Sequence, residues 1–101
     1  AKDNLEYIHN LQKHFIIGIK SNRTIALSQN EKMGGQFKQV SSLDLQDGQS
    51  IKVWLKGLEF PVALIKKVFI NEDNSIGTLY LVSNDLDHDA DYLYEIYQKR
   101  W

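Results

Sequence analysis

Cysteine is absent from this 101-residue chain, and proline occurs once, at Pro61. Without cysteine there is no disulfide, thiolate metal site or cysteine nucleophile, a composition that suits a reducing cytoplasm, the expected compartment. No apolar run approaches the roughly 20 residues that cross a bilayer as a helix, so no membrane role is expected. The opening "AKDNLEYIHN" has no signal-peptide core. An excess of one charge is also missing. Twelve Lys and Arg face thirteen Asp and Glu, for a formal net charge of −1. Nothing global draws this chain to nucleic acid or to an anionic membrane, so any basic site must be local.

What is present describes one globular domain spanning 1–101. An apolar share of 43% with 25% charged residues lies well inside the range of chains that bury a core. "KDNLEYIHNLQKH" places Leu5, Ile8 and Leu11 at helical spacing, with Asp3 or Asn4 as the cap. "HFIIGIK" (14–20) is apolar on both faces, the pattern of a fully buried strand. "SNR" interrupts it and "TIAL" resumes it. "SQNEKMGGQ" reads as a loop. From "FKQVSSL" the pattern turns to β, and Asp47-Gly48 signals a hairpin. "SIKVWLK" alternates, with Ile51, Val53 and Leu55 on one face and Lys52, Trp54 and Lys56 on the other. Pro61 opens the strand "PVALIKKVFI", where a residue without an N–H is tolerated. "NEDNSIG" is a turn, "TLYLVSN" a strand, and Asp87 or Asp89 caps a last helix over 90–101. Strands are expected near 37–43, 50–56, 61–70 and 77–83, and helices near 3–12 and 89–100. This order predicts an α+β fold with a mainly antiparallel sheet.

Few constellations carry chemistry. Asp85, Asp87, Asp89 and Asp91 alternate as in a calcium loop, but Ala90 stands at the glycine position and Ile96 at the bidentate position. Helix capping explains the run better. His9, His14 and His88 lack zinc spacing and read as surface or packing residues. No GxSxG, phosphate-binding loop or GxGxxG occurs, and a catalytic carboxylate pair cannot be chosen among thirteen acids. Lys20 and Arg23 end the apolar strand, while Lys99 and Arg100 lie in the last helix. Taken alone these read as solvated charges, as do Lys52, Lys56, Lys66 and Lys67. Trp54 could stack a base or pack on a neighbouring strand.

Four blocks, "HFIIGIKSNR", "VWLKGLEFPV", "KKVFINEDNSIGTLYLVSNDL" and "IYQKRW", occur in that order and run nearly end to end. Together they resemble the DDE transposases of bacterial insertion sequences, whose RNase H-like catalytic domain carries a β-rich insertion. The last helix of that family bears Tyr-x-x-Arg-x-x-x-Glu-x-x-x-x-x-x-Lys, usually with Trp after the Arg. Tyr97, Arg100 and Trp101 match its beginning. The Glu would fall three residues past Trp101, and no segment resembles the one carrying the family's second catalytic Asp.

The resemblance implies an internal fragment with 1–23 as an RNase H-like helix and strand, 24–86 as the β-rich insertion and 87–101 as the start of the signature helix. It implies DNA as partner, bound through Tyr97, Arg100 and Trp101 near the cleaved end, with Lys20 and Arg23 as further backbone contacts. The family uses two divalent ions, usually Mg2+, for in-line phosphoryl transfer. Neither a catalytic residue, a metal ligand nor a cofactor is expected within this fragment, which should be inactive alone. Self-association through "HFIIGIK" or the last helix is expected, giving a homo-oligomer. The competing reading is a small non-enzymatic α+β module that binds a protein partner.

Overall fold

The computed structural model describes residues 2–11 and 13–100, with only the backbone for Lys2, Asp3, Asn4, Glu6 and Arg100. The expected Asp3 or Asn4 cap therefore lies outside the described side chains. Helix α1 (Lys2–Asn10) precedes β1 (Ile16–Ile19), β2 (Thr24–Ala26), a short helix α2 (Gln29–Met33) and β3 (Lys38–Gln39). A 3-10 turn at Val40–Ser42 follows, then β4 (Ser50–Leu55), β5 (Pro61–Ile70), β6 (Ile76–Ser83) and α3 (Ala90–Arg100). The strands form one antiparallel sheet in the order β1-β6-β5-β4-β2-β3. The fold is α+β, as the strand patterns and turn residues imply.

The β5–β6 hairpin is the spine. Its register runs from Ala63↔Ser83 to Ile70↔Ile76, and its turn is closed by Asn71 and Asn74, the latter at φ 68°. Asn tolerates this left-handed region better than most residues. Pro61 opens β5, paired with Trp54. β4 covers only the first half of β5, and the chain before β4 continues the ladder. Gly48 N–H donates to the Lys66 carbonyl, Lys66 N–H to the Gln49 carbonyl, and Val68 N–H to Asp47 Oδ1. The expected hairpin at Asp47-Gly48 is thus a turn docked on the flank of β5, with Gly48 at φ 79°.

Three expectations are corrected. "FKQVSSL" is not a strand over 37–43. After two paired residues the chain turns inward and buries Val40 completely, so its β-branched residue served a turn. "SQNEKMGGQ" is not all loop: Ser28 Oγ accepts from the Glu31 N–H and caps the five-residue α2. "HFIIGIK" is not a fully buried strand. β1 occupies a sheet edge, paired on one side to β6, and its side chains are half-buried or exposed.

β1 and β2 lie four strand spacings apart in the sheet, about 19 Å if it were flat. The chain from Ile19 to Thr24 can span at most about 17 Å, and it contains a hydrogen-bonded turn, Arg23 N–H to the Lys20 carbonyl. The sheet must therefore curl until its β1 side approaches β2. The curl encloses the larger core, where Val53, Leu55, Val62, Leu64, Tyr80 and Val82 meet Leu5 of α1, Phe15 and Val40. The opposite face carries α3 and a smaller core of Ile65, Leu81, Ala90 and Leu93. In α1, Leu5 and Ile8 face the core as their spacing implies, but Leu11 is 50% exposed.

Asn84, just past β6, fastens the α1–β1 connection to the sheet. Its Oδ1 accepts from the Phe15 N–H, and its Nδ2 donates to the Lys13 carbonyl and His9 Nδ1. His9 then stacks on Phe60 at 3.7 Å between ring centroids. Asn84→Ala leaves these groups without their partner, and is expected to lower unfolding stability by about 1–3 kcal/mol. Chemical denaturation measures this, and an unchanged midpoint would show that water replaces the amide without loss.

Candidate functional site

Helix α3 owes its start to Asp89, whose Oδ1 accepts from the Tyr92 N–H, an N-cap of the expected kind. The helix crosses the sheet obliquely. Near its beginning, Lys67 of β5 reaches it, with Nζ 3.5 Å from Asp91 and 5.0 Å from the centre of the Tyr94 ring. Near its end, Tyr97 packs over β1. A Cβ added at Gly18 would stand 3.5 Å from the Tyr97 hydroxyl. Glycine in the strand thus marks a close approach of the helix. Lys67 is held against α3 and half-buried, so its reading as a wholly solvated charge is corrected.

This packing decides where the expected DNA contacts stand. Tyr97 is half-buried against the smaller core, with its hydroxyl at Gly18. Lys20 is exposed one residue past the end of β1, about 7 Å along the chain from Gly18. Arg23 is exposed at the far end of the link to β2. Its backbone is fixed, since the Arg23 carbonyl accepts from Val40 N–H and the Ser21 carbonyl from Ser41 N–H. Tyr97 and Lys20 thus share one end of β1, with Arg23 three residues beyond. The Arg100 side chain and Trp101 lie outside the described residues. Trp54 is half-buried on the α3 face of the sheet, with Lys52 Nζ 5.8 Å from its ring centre.

A second cluster has no counterpart in the sequence reading. Asp85, 5% exposed, closes a cleft with His14, His88, Tyr92 and Ile96. Its Oδ1 accepts from the Asp87 and His88 N–H groups, and its Oδ2 accepts from His88 Nδ1 at 2.6 Å. The bond to a carboxylate assigns the proton to Nδ1. His88 also stacks on Tyr92 at 4.0 Å, and His14 Nδ1 lies 3.8 Å from Asp85 Oδ2. Ser83 Oγ accepts from the Asp85 N–H. Asp-x-x-His ahead of a helix was the available signal, although the reach of His14 depends on the fold. The acidic run serves this loop and the helix cap. Among the described residues no group of three or more His, Asp or Glu side chains could hold a metal ion. Among the same residues, no helix is long and apolar enough to cross a membrane.

No family model, curated protein or solved structure matches this chain.

Burial pushes the Asp85 carboxyl upward. The His88 hydrogen bond, the Asp87 N–H and the charges of His88 and His14 more than offset it, holding the group below its ordinary 3.8. A carboxyl depressed in the folded state contributes stability above the unfolded value, and that contribution is lost as pH falls through the folded value. Asp85→Asn is expected to be less stable at neutral pH and to lose part of the acid-side decline. Denaturation midpoints measured from neutral pH downward test this, and superimposable declines in both proteins would contradict it.

Proposed function

We propose that this chain is part of a DDE-type DNA transposase, contributing the first turns of the signature helix and the β-rich insertion. One observation carries the reading: Tyr97, the first residue of the Tyr-x-x-Arg match, sits over Gly18 in the "HFIIGIKSNR" strand, beside exposed Lys20. Two blocks far apart in sequence meet where Tyr97 covers β1, in the strand that leads to Lys20 and Arg23. That convergence is what a DNA-backbone contact needs from a chain with no net positive charge.

The part played by these residues is binding and orientation. Arg100 follows Tyr97 by three residues on α3, so both belong to one helical face. A tyrosine hydroxyl and a planar guanidinium together offer several donors to one phosphate. Lys20 and Arg23 follow the backbone outward. The full enzyme's divalent ions supply activation of the attacking oxygen and stabilisation of the leaving one. Every step assigned to this chain is the holding of the DNA end against that centre.

A second reading, a non-enzymatic module for a protein partner, draws on the free edge of β1 and the exposed apolar residues at the β5–β6 tip. Mutation separates the two. In the full transposase, Arg100→Ala is expected to cut DNA-end cleavage by about tenfold to a hundredfold, the equivalent of a charged hydrogen bond worth roughly 1.5–3 kcal/mol. Thermal stability should change little. Arg100→Lys should rescue poorly, because a point charge lacks the guanidinium fork. Lys99→Ala serves as the neighbouring control. Near-wild-type cleavage by all three variants would overturn the transposase reading.

A further inference from the structure

The β5–β6 hairpin runs past its neighbours. β1 ends level with Lys66 and the 47–49 segment level with Val68, so residues 69–77 project as a two-stranded ribbon. Strand alternation puts Lys66, Val68 and Ile70 of β5 on the face that carries the larger core, opposite Tyr80, Thr78 and Ile76 of β6. Ile70 and Ile76 form a cross-strand pair in which each is 74% exposed. Apolar side chains this bare at a projecting tip mark a docking surface. On the other face of the tip the Phe69 ring lies over Gly77 and is less bare, at 40% exposed.

Charge along the stripe selects the occupant. Lys66 stands at its base, and among the described residues it has no ion-pair partner, unlike Lys67. Glu72 and Asp73 stand in the turn. Asp73 is held ionised, its carboxyl lowered from 3.8 first by the Ser75 hydroxyl and then by the Ser75 N–H. An acidic tip repels DNA phosphates and anionic lipid. From base to tip the ribbon thus runs base, apolar, apolar and then an acidic turn, an order complementary to its own reverse.

We propose that two copies of this chain dock through their β5–β6 hairpin tips, face to face about a two-fold axis passing between the Val68 and Ile70 positions. Lys66 of one copy then meets the acidic turn of the other, which carries Glu72, and Val68 meets Ile70, along a strand stripe about 13 Å long from Lys66 to Ile70. Such a two-fold contact is isologous and closed. It is smaller than the roughly 800 Å² per partner of a stable interface, so the dimer is transient.

Sedimentation velocity of the 101-residue chain across the micromolar to millimolar range tests this, together with chemical-shift mapping over the same range. The expected result is a concentration-dependent dimer whose shift changes gather at Val68, Ile70, Ile76 and Thr78. Ile70→Asp or Ile76→Asp should weaken association by about tenfold or more through lost apolar burial. Lys66→Glu should weaken it too, and adding Glu72→Lys to Lys66→Glu should restore it. Met33→Lys, at an apolar side chain 79% exposed in α2 and away from the hairpin, should leave it unchanged. A strict monomer at millimolar concentration would overturn the proposal. So would a dimer that survives Ile70→Asp, one abolished by Met33→Lys, or a charge swap that restores nothing.

Discussion

Everything in this molecule is referred to the β5–β6 ladder. Val62, Leu64, Tyr80 and Val82 put one face of it into the larger core, while Ile65 and Leu81 put the other under α3. A hairpin apolar on both faces, made of strands of ten and eight residues, can carry a layer on each side without parallel neighbours. The three residues that leave it do the fastening. Ser83 holds the Asp85 amide, Asn84 ties down the connection from α1, and Asp85 gathers the loop that leads into α3. The position of Tyr97 over β1 is thus inherited from β6, through that loop at one end and the β1–β6 pairing at the other.

The second constraint is the short link 20–23. Too short to cross a flat sheet, it obliges the strands to coil around the larger core, and its backbone is pinned by Val40 and Ser41. Lys20 and Arg23 therefore project from a fixed backbone while their side chains stay in solvent. Under the proposed reading this fixed strap would carry a phosphate chain with little backbone ordering left to lose on binding. The same curl leaves the β5–β6 tip standing clear of its neighbours, with an apolar pair that no strand covers.

Where the sequence was legible, local chemistry and tertiary packing agreed. The alternation of Ile51, Val53 and Leu55, the proline at the start of β5, the 71–75 turn and the Asp89 cap each follow from one residue's own preference. Misreadings came from side chains buried by something other than a regular element. Val40 looked like part of a strand and is buried by a turn. The apolar run of β1 suggested burial on both sides, whereas Tyr97 covers Gly18 and one edge stays open. Helix α2 buries no residue fully and so shows no apolar period, its start marked only by Ser28. The bonds of Asn84 and Asp85 to residues around 70 positions away have no period to read. Of the expected DNA contacts, Tyr97, Lys20 and Arg23 are placed by the fold, while the Arg100 side chain and Trp101 fall outside the described residues.

Native-state hydrogen exchange, residue by residue, tests most directly whether the ladder is the scaffold on which the rest is hung. The amides of Leu64, Ile65, Leu81 and Val82 should exchange last, near the free energy of global unfolding. Those of β1 and α1 should exchange earlier, and those of α3 no later than the ladder that holds it. Protection in α1 or β1 that outlasts the β5–β6 ladder would contradict the account.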